Sequence, residues 1–176
     1  MKRVGSELEI SLIGTADKLT ISSYFFQDGA GSYKLEEIRF ADGTVWNVEM
    51  VKAMVLLPTA GNDNLRGYAT ADIISGEGGN DFIYAGDGND TINGGAGADV
   101  IGSGAGDDNI VGGEGADDIT VGTGADVVDL SETTAAEDQV FITTVLDGSA
   151  VGVAAGTFAD FNVITGFTAG GDEVSN

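Results

Sequence analysis

Between Pro58 and Asp129 the chain repeats every nine residues without an insertion, and this period constrains its fold more than any other feature. The fourth position of the eight units is Gly in seven of them, with Thr70 as the exception. The sixth position is Asp in all eight: Asp63, Asp72, Asp81, Asp90, Asp99, Asp108, Asp117 and Asp126. The eighth position is a large aliphatic residue in all eight: Leu65, Ile74, Ile83, Ile92, Ile101, Ile110, Ile119 and Val128. A fixed period of this kind indicates stacked units, each burying its apolar side on its neighbours.

The spacing within one unit predicts a glycine-rich turn followed by a short strand. In a three-residue strand the middle side chain points opposite to its neighbours, so position eight faces inward and positions seven and nine face solvent. Glycine tolerates positive φ, which lets the turn curl and aim backbone carbonyls at one point. Calcium takes about six to eight oxygen ligands, readily from Asp carboxylates and carbonyls. Two stacked turns, each with one Asp, therefore predict a calcium site between them.

Charge is distributed unevenly along the chain. Residues 1–66 contain nine acids and all seven Lys and Arg, a balance of −2, whereas residues 67–176 contain twenty acids and no base. Such a segment repels itself, nucleic acid and anionic lipid, so we expect no nucleic-acid partner. Bound metal is the simplest source of the missing positive charge.

Composition excludes several classes of function. The absence of Cys and His removes disulfides, most catalytic triads and the usual zinc sites. The chain has no G-x-S-x-G, H-E-x-x-H or phosphate-loop motif. Acid pairs can serve glycoside hydrolysis, but the calcium pattern or solvent exposure accounts for nearly every repeat acid, so we predict that the chain is not an enzyme. No apolar stretch is long enough to span a membrane, and the residues after Met1-Lys2-Arg3 do not predict a cleavable signal peptide.

The units resemble the haemolysin-type calcium-binding repeat of RTX proteins, G-G-x-G-x-D-x-U-x, as in GGEGADDIT at residues 112–120. The resemblance implies an all-β fold in which two units complete one coil, so that eight nonapeptides form four coils of a calcium-bound parallel β-roll. It also implies an extracellular protein of a Gram-negative bacterium, exported unfolded by type I secretion machinery. We expect the chain to be part of a longer protein with other domains.

Stacking fixes the expected number of sites. Four turns lie on each of two edges and enclose three gaps per edge, which gives about six calcium ions. Because Thr59, Tyr68 and Thr70 replace glycines, we expect the sites of Asp63 and Asp72 to be the weakest. Asp129, Asp160 and Asp172 are candidate extra ligands, although a solvated surface position is the simpler interpretation.

The flanks divide the chain into residues 1–57, 58–129 and 130–176. The first segment resembles the β-rich module that precedes such repeats and predicts a cap for the first coil. We expect strands over Glu7–Ile13 and Lys18–Tyr24, a turn at 27–31, a hairpin of 35–40 with 44–46, and a short helix over 48–56 capped by Asn47. The last segment predicts a strand over Gln139–Val145 and a stretch that closes the final coil.

Two functions follow from these patterns. The first is a non-catalytic, calcium-dependent folding and secretion module. We expect it to be disordered without calcium, because burial of only eight aliphatic side chains does not offset the entropy cost of ordering the repeats. The second is a calcium-dependent module that binds a polysaccharide or a cell surface. Phe82, Tyr84 and Val100 should point outward together, and we expect a flanking segment to cover them, a partner contact being the alternative.

Overall fold

The computed structural model describes residues 1–11, 16, 18–25, 37–143, 163–165 and 173–175. It divides the chain into two compact units, Met1–Leu57 and Pro58–Asn176. The elements in chain order are β1 (Lys2–Val4), β2 (Glu7–Ser11), β3 (Lys18–Ile21), β4 (Glu37–Arg39), β5 (Val45–Asn47), α1 (Val48–Val55), β6 (Asn64–Arg66), β7 (Ile73–Ser75), β8 (Phe82–Asp87), β9 (Thr91–Ala96), β10 (Val100–Ala105), β11 (Asn109–Glu114), β12 (Asp118–Val121), β13 (Val127–Asp129), β14 (Gln139–Ile142), β15 (Val163–Thr165) and β16 (Glu173–Ser175).

The first unit contains an antiparallel sheet in the order β1-β2-β3 and an antiparallel hairpin of β4 and β5. Asp42 closes the hairpin turn, since its Oδ1 accepts a hydrogen bond from Thr44 N at 2.9 Å and Gly43 has φ 91°. Helix α1 begins after Asn47, whose Oδ1 accepts from Met50 N at 2.8 Å. The predicted hairpin and capped helix are therefore present, with β5 shifted by one residue and α1 ending one residue earlier than predicted, while residues 35–36 lie outside the described residues.

The predicted strand Lys18–Tyr24 is too long. β3 ends at Ile21 and the chain then turns, with Ser23 at φ 57° and Phe25 N donating to Ser6 O at 2.9 Å. The turn buries both Tyr24 and Phe25, which a strand with alternating faces cannot do. The turn predicted at 27–31 and the ends of the strands predicted at 12–13 and 144–145 lie outside the described residues.

The second unit is a parallel β-roll of two facing sheets. One sheet has the order β16-β14-β12-β10-β8-β6, and the other has the order β15-β13-β11-β9-β7. Strands that follow each other in sequence alternate between the sheets, so each pair of nonapeptides completes one coil. The predicted fold class, an all-β parallel roll of about four coils, is confirmed.

The inward column of aliphatic residues forms the core of the roll. Parallel pairing places Leu65, Ile83, Ile101 and Ile119 in one row and Ile74, Ile92, Ile110 and Val128 in the other. All eight side chains are at most 3% exposed. Position eight of the repeat therefore faces the core in every unit.

The stacking continues beyond the last nonapeptide. β14 pairs in parallel with β12 and places Val140, which is 0% exposed, beside Ile119. β15 pairs with β13, and β16 with β14. Residues after Asp129 thus add strands to both sheets.

Candidate metal centre

The Asp at position six of each turn links one coil to the next. In every case the backbone N of one Asp donates to Oδ1 of the Asp 18 residues later. The N–Oδ1 distances are 2.8 Å for Asp63–Asp81, Asp72–Asp90 and Asp81–Asp99, 2.9 Å for Asp90–Asp108 and Asp99–Asp117, and 3.0 Å for Asp108–Asp126. The structure thus brings the eight predicted residues into two rows, one at each edge of the roll.

The second oxygen of these carboxylates faces the inside of the turn. Asp81, Asp90, Asp99, Asp108 and Asp117 are each at most 2% exposed. Their Oδ2 atoms are buried and accept no hydrogen bond from the described part of the chain. A buried carboxylate oxygen without a partner is costly unless a cation balances it.

Backbone carbonyls share the space with these oxygens. A Cβ built on Gly94 would lie 2.3 Å from Gly112 O, in the next coil, and 2.6 Å from Asp99 Oδ2. A Cβ on Gly76 would lie 2.2 Å from Gly94 O and 2.3 Å from Asp81 Oδ2. Only glycine leaves this space open, so position one of these turns keeps a carboxylate and a carbonyl oxygen facing the same small volume.

Burial raises the pKa of several of these carboxyl groups. Desolvation is the main cause, and it raises the pKa of Asp117 to about 7 and those of Asp90 and Asp126 to about 6. Neighbouring acids add to the effect, Asp99, Asp138 and Glu132 in the case of Asp117. Without a cation, the turns therefore hold negative charge in an unfavourable environment.

The first two turns differ from the others. Thr59 N donates to Asp63 Oδ2 at 2.6 Å, and Tyr68 N donates to Asp72 Oδ2 at 2.7 Å. These carboxylates thus find donors within their own turns, at two of the positions where glycine is replaced. The contacts are consistent with the expectation that these turns hold metal least well.

Sequence reasoning missed two sets of residues. Asp138 is 1% exposed, and its Oδ1 accepts from Asp117 N at 2.9 Å, although it lies outside the nonapeptide register. Position five carries a second ladder, in which side-chain oxygens accept from the backbone N of a residue in an adjacent coil. Its acceptors are Asn62, Asn80, Asn89 and Asp107. The recurrence of Asn or Asp at position five was the available signal for the ladder.

Of the extra ligand candidates, Asp129 is not brought into the rows. Asp129 Oδ1 accepts from Ser131 N at 3.0 Å in a surface turn, and hydrogen bonds from the Ser131 side chain and backbone lower the pKa of its carboxyl. Asp160 and Asp172 lie outside the described residues.

The donor set fits calcium, since every candidate ligand is an oxygen atom. Within the described ranges, no three acidic side chains converge as a metal cluster. Each gap between turns would therefore combine the two Asp residues of adjacent coils with main-chain carbonyls. When bound, calcium supplies the positive charge that the buried carboxylates require.

Stacked glycine-rich turns with buried carboxylates define a β-roll of the calcium-binding repeat class. Residues 59–92, 66–101, 75–110 and 93–128 match the RTX calcium-binding nonapeptide repeat, and residues 7–50 match the haemolysin-type calcium binding protein related domain. The chain therefore carries RTX repeats, which bind calcium, preceded by the related domain.

A curated relative is the iron-regulated protein FrpA of Neisseria meningitidis serogroup C, with 40% identity over 74 residues. The match covers 42% of this chain but only 7% of FrpA. No solved structure matches the chain. RTX β-rolls are structural calcium-binding modules and are not typically catalytic. Among the described residues, no helix is long and apolar enough to cross a membrane.

Proposed function

We propose that this chain is a calcium-dependent folding and secretion module of an extracellular RTX protein, in which calcium is structural. The observation that carries the proposal is the row of buried Asp Oδ2 atoms at each edge, which the described chain leaves without a hydrogen-bond donor. Such oxygens favour an unfolded chain when no cation is present and a folded one when calcium is bound.

The proposal includes about six ions, one in each gap between adjacent turns of an edge. The ligands would be the eight repeat aspartates with carbonyls such as Gly94 O and Gly112 O. Six ions binding only to the folded chain stabilise it through mass action, each by about 1.4 kcal/mol at ten times its Kd.

The expected calcium affinity of the repeats relates metal binding to export of the protein. Extracellular calcium modules bind at about 10⁻⁴ to 10⁻³ M, so their sites are empty in the cytosol and filled outside the cell. We propose that the chain passes the type I secretion machinery of a Gram-negative bacterium unfolded and folds outside. The RTX repeats support this, because proteins with such repeats are typically secreted. Residues 1–57 and 130–176 would cap the two ends of the roll, within a longer parent protein.

A calcium titration followed by far-UV circular dichroism tests the proposal, beginning from metal-free protein with magnesium as the control ion. We expect a cooperative rise in β signal with calcium alone. Asp99→Asn should raise the calcium midpoint severalfold, because Asp99 faces two gaps. Asp118→Asn is the matched control, since Asp118 is exposed on β12 and should leave the midpoint unchanged. A fully folded spectrum without calcium, at ordinary salt, would refute the proposal.

A second candidate is calcium-dependent binding of a polysaccharide or cell surface, and one observation favours it. Phe82, Tyr84 and Val100 are 49%, 37% and 44% exposed, so the expectation that a flank covers them is not met. The Arg66 guanidinium lies 4.9 Å from the Tyr84 ring centre. Exposed apolar clusters often mark contacts. A pull-down on immobilised polysaccharide, with Phe82→Ser/Tyr84→Ser against Ile73→Ser, tests this function.

A further inference from the structure

The loop that follows the last nonapeptide is longer than the turns of the array. Repeat matches end at residue 128, and β14 begins at Gln139. Asp138 lies 21 residues after Asp117, compared with the 18 residues that separate Asp108 from Asp126. Residues 130–138 therefore form a turn with three additional residues, outside the period that predicts the other sites.

Asp138 nevertheless takes the place of a sixth-position Asp. Its Oδ1 accepts from Asp117 N at 2.9 Å, the distance at which Asp117 Oδ1 accepts from Asp99 N. Asp138 is 1% exposed, and the next two residues, Gln139 and Val140, pair in parallel with Asp118 and Ile119. The edge row thus gains one member beyond Asp117.

Asp117, which borders the gap with Asp138, has a buried oxygen like those of the other repeat aspartates. Asp117 is 2% exposed, and its Oδ2 accepts no hydrogen bond from the described residues. This oxygen lies 2.7 Å from the position of a Cβ built on Gly112, so it faces the interior of the turn. This buried oxygen without a donor, and not the acids around it, is the observation that points to a cation.

Two glutamates fasten the longer loop onto the preceding turn. Glu132 Oε2 accepts from Gly115 N at 3.2 Å, while its Oε1 accepts from Ala136 N within the loop. Glu114 Oε1 accepts from Thr133 N at 2.8 Å and from Thr133 Oγ1 at 2.6 Å. Side-chain carboxylates hold this loop where glycines shape the other turns, and Glu132 adds negative charge beside Asp117.

We propose that Asp117 and Asp138 hold one further calcium ion, in a site that the non-repeat loop 130–138 completes. The inference rests on the proposed function of the array and extends it past the last nonapeptide. Calcium then orders the loop and the start of β14, so metal-coupled folding includes part of the segment that follows the repeats.

Native mass spectrometry at saturating calcium counts the ions and tests the proposal. Asp138→Asn retains an Oδ1 acceptor for Asp117 N but removes the charge, so it should bind one ion fewer than the unmodified chain. Glu137→Gln is the matched control, because Glu137 is the exposed neighbour of Asp138 and should leave the count unchanged. An equal count for Asp138→Asn and the unmodified chain would overturn the proposal.

Anomalous scattering from crystals of the unmodified chain grown in calcium gives a test that does not depend on a variant folding. A calcium peak between Asp117 and Asp138 supports the further site. Peaks in the regular gaps with none at this position would overturn it while leaving the proposed function intact. If no gap contains a peak, both the further site and the calcium-dependent function fail.

Discussion

At the scale of a single residue, each repeat Asp from Asp81 onward has two separate roles. Its Oδ1 accepts a backbone hydrogen bond from the preceding coil, as in the 2.8 Å contact of Asp81 N with Asp99. Its Oδ2 stays inside the turn, beside position one, which is glycine in the turns of Asp81, Asp99 and Asp117. The first contact sets the spacing of the coils, and the second oxygen is available to a cation. One residue type at one position would therefore couple stacking to the proposed metal binding.

Gly94→Ala should disrupt a turn because the new Cβ has no space. It would lie 2.3 Å from Gly112 O and 2.6 Å from Asp99 Oδ2, well inside van der Waals contact. We expect a loss of about 1–3 kcal/mol in the free energy of unfolding, typical of overpacking, and a higher calcium midpoint. Denaturant unfolding at fixed calcium measures the first quantity.

Gly78→Ala is the control for this prediction, since the closest atom to its new Cβ is Ala96 O at 3.8 Å. Gly78→Ala should have the same free energy of unfolding as the unmodified chain. Equal effects of the two substitutions would show that backbone entropy, and not the space beside Asp99, determines the result.

Ile101→Ala tests the inward column. Ile101 is 1% exposed and pairs with Ile83 and Ile119 in neighbouring coils. Its truncation should lower the free energy of unfolding at saturating calcium by about 2–5 kcal/mol, through lost burial and a cavity. Ile73→Ala removes the same atoms from a side chain that is 84% exposed, and should change stability by less than about 0.5 kcal/mol. A large loss at Ile73 would contradict the assignment of inward and outward positions.

At the scale of elements, the periodic part of the chain could be predicted from sequence because each nonapeptide has the same pattern of Gly, Asp and aliphatic residues. The places of the strands in the array and the two buried rows from Leu65 to Val128 follow from the nine-residue period. The predicted strand length of three residues is wrong for β8 to β11, which are six residues long and extend into the next unit. Asp138 could not be found in this way, since it is 21 residues from its partner and no repeat pattern marks it. β15 and β16 also escaped prediction, because their pairing depends on long-range contacts with β13 and β14.

The ladder at position five adds a further link between coils. Asn80 Oδ1 accepts from Ala98 N at 3.2 Å, and Asn80 N donates to Asn62 Oδ1 at 2.9 Å. Asn80→Ala removes the acceptor for Ala98 N and should cost about 0.5–1.5 kcal/mol in denaturant unfolding. Asn93, exposed at position nine of its unit, provides a matched Asn→Ala control that should be neutral. No difference between the two variants would mean that water replaces the ladder bond at no cost.

At the scale of the whole molecule, charge dominates the behaviour of the roll. Residues 67–176 carry twenty acids and no base, and the repeat aspartates among them are stacked in rows inside the fold. Ionised carboxylates in such rows oppose folding through desolvation and mutual repulsion. Either protons or calcium ions relieve this cost, so the two should compete for the same sites.

Stability of the calcium-free chain should therefore increase as the pH falls from 8 to 5. The folded-state pKa of Asp117 is raised to about 7 and those of Asp90 and Asp126 to about 6, from 3.8 for an unperturbed Asp. A group with a raised folded-state pKa favours folding below its unfolded pKa, and that contribution is lost as the pH rises through the folded value. Circular dichroism of metal-free protein should show more β structure at pH 5 than at pH 8. Calcium-induced folding should show the opposite pH dependence, because protons compete with the metal for the carboxylates. The calcium concentration at the folding midpoint should therefore be higher at pH 5 than at pH 8. A metal-free chain that folds better at pH 8 would contradict this account of the buried carboxylates.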